Sequence, residues 1–330
     1  MTGFDADVPY AGLTPDRVLD AMESLGLVTD GRLLALNSYE NRVYRVGVEE
    51  APPLVAKFYR PRRWSNEGIA EEHTFAAELA AADLPVVAPM AFAGRTLHEH
   101  QGFRFAVFPT VGGRAPEPGD RDGLRRIGRT LARLHGIGRR QRFRHRADLS
   151  IDSHGQQPVQ FLLAGDWLPP HLVEPFRAIS GQLLQAIGQA WQRAGALQTL
   201  RLHGDCHYGN LLLQRDDDIL LVDLDDCLGG PAIQDLWMLV AGEGDDLRRQ
   251  WGWLLEGYSL FADLDPGEFQ LVEALRTLRI LHYNAWIARR WHDPAFPAAF
   301  PWFQDNRHWE SLISQLQEQL AAMNEPAFLP

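Results

Sequence analysis

Of the 32 basic residues in this 330-residue chain, the one at position 57 is lysine and the others are arginine. A compact ammonium on a flexible stem can enter a tight phosphate site as a point charge, which a broad planar guanidinium does poorly. A second group of residues stands in the segment 199–226, TLRLHGDCHYGNLLLQRDDDILLVDLDD. Two apolar runs there, LLLQ and ILLV, flank the turn RDDD, and antiparallel pairing of the runs brings their outer ends together. Asp205 and Asn210 lie before the first run and Asp223 just after the second, so two carboxylates and an amide converge. That oxygen-rich set suits a hard cation such as Mg2+, which takes one or two carboxylates, phosphate oxygens and water. His203 and His207 are near, but His, Asp and Asn without a thiolate make a poor zinc site. Phosphoryl transfer needs a carboxylate at the acceptor hydroxyl, metal ligands on the phosphates and a cation beside them, and each has a candidate here.

The elements that must position these residues fall into two groups. Residues 33–36, 42–48, 54–59, 86–93 and 103–108 are β-branched or aromatic-rich runs between turn residues and predict five strands, with Lys57 on the third. Between the third and fourth, residues 66–82 carry Ile69, Phe75, Ala76 and Leu79 at helical spacing. Glu72 precedes Phe75, Ala76 and Leu79 on the same face and so points inward toward the lysine strand, whereas Glu71 is rotated away by about 100°. An amphipathic helix over 14–27 precedes the strands, with Pro15 at its start. The glycine- and proline-rich stretch PTVGGRAPEPG ends this region, which predicts a lobe over 1–109, a hinge over 110–119 and a second lobe over 120–330.

The second lobe reads as helices over 120–135, 170–194, 232–241, 247–261, 267–291 and 302–323. The hairpin interrupts them, with a loop at 203–210 and an acidic segment at 223–226. Asp120 is placed as an N-cap, and Asp235 as the cap of the helix DLWMLVA and an anchor for the 203–210 loop. The ten tryptophans, most of them late in the chain, are assigned to the helical core. Asp225 and Asp226 either orient the 203–210 loop or cap the turn after it.

With 45% apolar and 23% charged residues the composition is that of an ordinary globular protein. The most apolar stretch, 75–92, is broken by Glu78, Asp83, Pro85 and Pro89, which argues against a membrane span. The N-terminus MTGFDADVPYAG carries acids where a secretory signal has a basic start, so a cytoplasmic location without a membrane partner is expected. Two cysteines, Cys206 and Cys227, are too few for a disulfide framework. Their places beside Asp205 and the acidic segment imply that oxidation of either would block the site. The net charge of −11 argues against nucleic-acid binding. Segment 121–146 runs the other way, with ten arginines against Asp122, and reads as a solvated helix face with a basic loop or as a docking surface for an acidic partner. A monomer is the default expectation.

LHGDCHYGNLL followed by VDLDDCLGGPAIQDLWML closely resembles the aminoglycoside phosphotransferase and choline kinase branch of the protein-kinase-like fold, and the resemblance runs from about residue 33 to residue 291. Asp205 with Asn210 five positions on matches the base-to-metal-ligand spacing of the kinase catalytic loop, H-R-D-x-x-x-x-N, written here His203-Gly204-Asp205. Within that branch LNSYENRVYRV, VAKFYRPRRW and EEHTF are similar to bacterial stress-response kinases that act on Ser and Thr. The resemblance implies an α+β, protein-kinase-like two-lobed fold, with a small antiparallel β lobe carrying one helix and a larger, mainly helical lobe. It implies ATP and Mg2+ as cofactors, Asp205 as catalytic base, Asn210 and Asp223 as metal ligands, and Lys57 on the nucleotide phosphates, oriented by Glu72. His203 would pack and hydrogen-bond behind Asp205. Protein substrates bearing Ser or Thr, and autophosphorylation, follow from the same likeness.

The loop Asn37-Ser38-Tyr39-Glu40-Asn41 departs from the kinase pattern, since it holds none of the glycines of a G-x-G-x-x-G phosphate cover and leaves Ser38 as a hydroxyl donor. No APE motif follows Asp223, so control by activation-loop phosphorylation is not expected. The alternative acceptor is a small molecule, as in aminoglycoside, choline or homoserine kinases, and the acidic helical lobe would favour a cationic one. A nucleotide-sensing scaffold without turnover is the non-enzyme alternative, and the joint presence of Lys57, Asp205, Asn210 and Asp223 argues against it.

Overall fold

Alternation along the strands decides which way Lys57 points. In the computed structural model, which describes residues 9–215 and 218–326, α1 (Pro15–Glu23) is followed by β1 (Thr29–Leu36), β2 (Arg42–Val48) and β3 (Ala51–Phe58). Next come α2 (Asn66–Ala81), β4 (His98–His100) and β5 (Phe103–Pro109). The five strands form one antiparallel sheet in the order β1-β2-β3-β5-β4. Successive side chains of a strand face opposite ways. Ala56 and Phe58 of β3 accordingly join Val46, Phe105 and Val107 under α1, whose Val18, Ala21 and Met22 cover that face. Lys57 goes to the other face, where its cross-strand neighbour Ala106 packs with Tyr59 and with Ile69 of α2.

Residues 86–93 do not form the expected fourth strand. Pro85 and Pro89 each remove a backbone donor, which a ladder does not tolerate. The run instead makes a single bridge to the second lobe: Val87 N donates to Leu221 O at 3.1 Å and Leu221 N to Pro85 O at 2.9 Å. The polar edge strand β4 takes the fourth place.

The second region begins at α3 (Arg121–Gly138), capped by Asp120, whose carboxylate accepts from Gly123 N at 2.7 Å. It continues through α4 (Gln157–Ala164), which the sequence reading passes over, and α5 (Val173–Ala194). Four short strands follow, β6 (Leu200–Leu202), β7 (Leu211–Leu213), β8 (Ile219–Leu221) and β9 (Leu228–Gly230), then α6 (Gly244–Tyr258), α7 (Val272–Arg289), α8 (Ala295–Ala299) and α9 (Asn306–Asn324). β7 and β8 pair with Leu211 opposite Leu221, while β6 pairs with β9. Asp216 and Asp217 of the RDDD turn, and residues 1–8 of the acidic N-terminus, lie outside the described residues.

The helix expected over 232–241 is two short 3-10 turns, Ala232–Asp235 and Trp237–Leu239. Asp235 does not cap it, because its carboxylate is turned to backbone amides of the neighbouring loop. One core unites α3, α6 and the β7–β8 pair around Trp251, and a second unites α5, α7 and α9 around Trp309. α3 and α6 meet backbone to backbone, since a Cβ at Gly128 would lie 2.0 Å from Leu254 O and one at Gly257 1.9 Å from Arg125 O. Among the described residues no helix is long and apolar enough to cross a membrane.

Candidate active site

Lys57 Nζ lies 3.0 Å from Asp223 Oδ1, 3.1 Å from Asp225 Oδ1 and 3.7 Å from Glu72 Oε1. The second oxygen of Glu72 takes Arg146 Nη2 at 2.8 Å. Arg63 pairs with both Asp225 and Asp226, and Asn41 Nδ2 donates to Asp225 Oδ2 at 3.1 Å. Lys57, Glu72, Arg146 and Asp225 are all buried. Three cations thus face four carboxylates in a medium where uncompensated charge is costly.

The proton affinities record that excess of negative charge. Burial alone would lower the pKa of Lys57, but Asp223, Asp225 and Glu72 outweigh it and hold it well above the ordinary value. Burial would raise Asp225, yet Lys57, Arg63 and Arg146 hold its carboxyl well below the usual range. At Glu72 burial wins over the nearby Lys57 and pushes the group up to about 7.

Sequence reasoning missed Arg146, Arg63 and Asn41, which come from elements distant in the chain. Glu71, set aside as rotated away, holds Arg146 in place: its carboxylate accepts from the backbone N of Arg144, His145 and Arg146 at 2.7, 2.7 and 3.1 Å. Arg146 then donates to Glu72 and, at 2.6 Å, to the carbonyl of Asp225. The arginine-rich segment is therefore no single surface. Arg146 is buried in the site, Arg133 donates to the carbonyls of Ala82 and Asp83, and Arg129 pairs with Asp218.

A 3-10 turn and an anchored loop place the remaining groups. Asp235 accepts from His203 N and Gly204 N, each at 2.8 Å, and its position is fixed in turn by His135. His203 Nε2 donates to Val222 O at 2.9 Å and so ties this loop to the strand before Asp223, a structural role. Gly204 has φ +87°, and a Cβ on it would stand 2.1 Å from Asp226 O, so the two acidic segments can approach only through glycine. Asp223 adopts a left-handed backbone, φ 60° and ψ 67°, of the kind retained at functional sites at a cost of about 1–3 kcal/mol. Its side chain is 56% exposed and projects from the buried group.

Asn210 Nδ2 donates to Asp205 O at 3.0 Å, which leaves Oδ1 as the arm available to a cation, and Val222 N donates to Asn210 O at 3.1 Å. One exposed carboxylate and one amide oxygen are hard donors, too few for a complete shell and suited to Mg2+ that shares phosphate oxygens. Among the described residues no group of three or more His, Cys, Asp or Glu could hold a metal by itself. Asp205 Oδ1 receives Arg279 Nη1 at 2.6 Å, and Oδ2 lies 3.4 Å from His207 Nε2. Burial would raise its pKa, but the His207 hydrogen bond and the Arg279 charge hold the carboxyl well below the usual range.

The structure therefore joins Lys57, Glu72 and Asp223 in one set of contacts and Asp205 with Asn210 in another. Ser38, half-buried in the loop between β1 and β2, takes no part in either. Its neighbour Glu40 is fastened to the second lobe by Arg290 at 2.5 Å and Trp286 Nε1 at 2.6 Å. Cys206 and Cys227 are fully buried and burial pushes both thiols up, which removes the thiolate and the access that oxidation requires. A cavity of about 940 Å³ adjoins Asp205 through Arg279, and its walls present Arg276 and Arg279 against Glu318. Both arginines are already paired, Arg276 with Glu273 and Arg279 with Asp205.

Residues 32–269 match the model of the phosphotransferase enzyme family. The chain belongs to this family. It is 43% identical to serine/threonine protein kinase RdoA of Salmonella typhimurium strain LT2 over 96% of this chain and 95% of that protein. Stress response kinase A of Escherichia coli strain K12 is 42% identical over the same shares. This phosphotransferase also superimposes on an amicoumacin kinase solved with AMP-PNP and Ca2+, with a TM-score of 0.71 and 16% identity over 94% of each chain. The α+β, protein-kinase-like architecture is common to both. Its family-wide chemistry is phosphoryl transfer.

Proposed function

We propose that this phosphotransferase moves the terminal phosphoryl of ATP, with Mg2+, to Ser or Thr hydroxyls of proteins, its own chain included, and serves a bacterial stress response. The observation that carries the reading is that Lys57 lies 3.0 Å from Asp223 while Val222, the residue before Asp223, donates to the carbonyl of Asn210, whose amide donates to Asp205 O, so candidates for the four roles of phosphoryl transfer come from linked segments. The names of relatives 42–43% identical over nearly the whole chain support the protein acceptor. Asn210 and Asp223 would hold the Mg2+, which when bound offsets charge on the phosphates. Lys57 would turn to a phosphate oxygen while Glu72, held by Arg146, keeps its ammonium in place. Ionised Asp205 orients the acceptor hydroxyl and takes its proton, and Ser38 would donate to a phosphate from the glycine-free loop. Positioning and charge do most of the work. The reading includes a cytoplasmic monomer that binds neither nucleic acid nor membrane, with the outward arginines of 121–146 as the place for an acidic partner.

A small-molecule acceptor is the second reading, favoured by the cavity beside Asp205 and by the likeness in fold to an amicoumacin kinase. Incubation with labelled ATP and Mg2+, with and without casein or basic myelin protein, separates the two. Acid-stable phosphoserine or phosphothreonine on chain or acceptor, reduced about 10²–10⁴-fold in Asp205→Ala, is the expected result. ATP binding with no protein label would transfer the assignment to a small alcohol.

A further inference from the structure

The cavity beside Asp205 holds a charge that none of the roles above uses. Arg276, Arg279 and Tyr283 follow one another at helical spacing on α7 and line the cavity with His308, Ser311 and Gln315 of α9. Arg276 is already committed, with Nε 3.1 Å from Glu273 and its guanidinium 4.9 Å above the Trp237 ring. His308 is held by Asn284 at 2.9 Å. Arg279 is committed to the reacting carboxylate: Nη1 donates to Asp205 Oδ1 at 2.6 Å, and His207 stands 3.4 Å from Oδ2. A hydroxyl that gives its proton to Asp205 must come within about 2.6–3.2 Å of one of these oxygens, and on the Oδ1 side it competes with the Arg279 guanidinium for the same atom. Its side chain is 42% exposed, and half-solvated ion pairs of this kind are weak. A second carboxylate that meets the planar fork with two oxygens can take it away.

Resting on the Ser/Thr reading above, we infer that Arg279 is a specificity-determining residue that selects acceptor segments with an acidic side chain beside the Ser or Thr. The acid draws the guanidinium off Asp205, and Oδ1 becomes available to the hydroxyl in the same movement. The occupant of the cavity is thus an acidic peptide segment. Arg276 is held by Glu273, so of the two arginines in the wall Arg279 is the one an entering acid recruits, with Glu318 as the wall's own acid. A basic segment would set cations against Arg279 and offer it no partner outside Asp205. The shift is driven because the acid binds the released arrangement and not the closed one.

Two peptides of equal length test this, one with Ser among Asp and Glu and one with Ser among Asn and Gln, on the full chain and its Arg279→Ala and Arg279→Lys variants. Fluorescence anisotropy reads binding, and labelled phosphate reads transfer. The wild type is expected to bind the acidic peptide about tenfold more tightly, the preference vanishing in Arg279→Ala and returning only in part in Arg279→Lys, which keeps the charge but not the planar fork. In Arg279→Ala the KM for the acidic peptide rises while kcat for the neutral peptide increases, because the competing guanidinium is gone. Equal binding of both peptides by the wild type, or a preference that survives Arg279→Ala, overturns the inference. Binding preference without transfer to either peptide overturns the Ser/Thr reading and leaves Arg279 as the selector; transfer to both with equal efficiency does the reverse.

Discussion

The two sides of the cleft are built on different principles. Around Lys57 the charged groups hold one another, and Lys57, Glu72, Arg146 and Asp225 sit away from water, with contacts from β3, α2, the 146 loop and the 223–226 segment. Around Asp205 the partners are Arg279 and His207, whose side chains are 42% and 38% exposed. On the proposed reading, the nucleotide side is overdetermined and therefore rigid, and the acceptor side is loosely held and therefore open to exchange. A phosphate donor common to a family can be met by fixed groups, while an acceptor that differs between members has to be met by groups that can move.

Breaking the rigid side should have the largest effect on stability. Arg146→Ala leaves Glu72 Oε2 and the carbonyls of Asp225 and Cys227 without their Arg146 donors, with Lys57 as the cation that remains beside Glu72. A loss of about 3–5 kcal/mol is expected in denaturant unfolding, the usual cost of removing one member of a buried pair. A loss below about 1 kcal/mol would show that the buried group is not what makes this side rigid.

The pH dependence sharpens the same contrast. Glu72 ionises at the ordinary value of 4.5 in the unfolded chain and at about 7 in the fold. The folded chain holds that proton more tightly, so the contribution of Glu72 is complete below pH 4.5 and is lost as pH rises through 7. Asp225 has the opposite sign: its folded pKa is depressed, so its stability is present above 3.8 and lost in acid. Glu72→Gln should therefore flatten the decline in unfolding free energy between about pH 5 and pH 7. An unchanged slope in thermal melts across that range would mean that Arg146 and Lys57 keep Glu72 ionised throughout.

The smallest shift belongs to the acceptor side. Asp205→Asn removes a half-solvated pair with Arg279 and should change stability by no more than about 1 kcal/mol, while activity collapses. A loss as large as that of Arg146→Ala would erase the distinction between the two sides.

Much of this architecture is legible in the chain because it depends on local pattern. Strands β2, β3 and β5, helix α2 and the hairpin β7–β8 follow from alternation and helical spacing, and the family resemblance supplied the two-lobed plan. Residues 86–93 misled because β-branched residues suggest a strand whatever their neighbours, whereas Pro85 and Pro89 decide hydrogen bonding. Asp205, Asn210 and Asp223 could be singled out because a hairpin brings them together within a few residues of sequence. Arg146 could not, since it is one of ten arginines in its segment and its partner Glu72 lies 74 residues away. Asn41 and Asp225 are 184 residues apart, and no local periodicity encodes such a meeting. Glu71 was visible but misjudged: a carboxylate turned from the core still binds three backbone amides of another segment.

The 3.0 Å contact of Lys57 with Asp223 makes the ammonium a resident counter-ion for the carboxylate that a divalent cation would claim. Loading the cleft would then be an exchange of one positive charge for another, with Lys57 passed from carboxylate to phosphate as the newcomer takes its place. On the proposed function, neither an unaccompanied nucleotide nor an unaccompanied cation would complete that swap, so the protein's apparent affinity for each would depend on the concentration of the other.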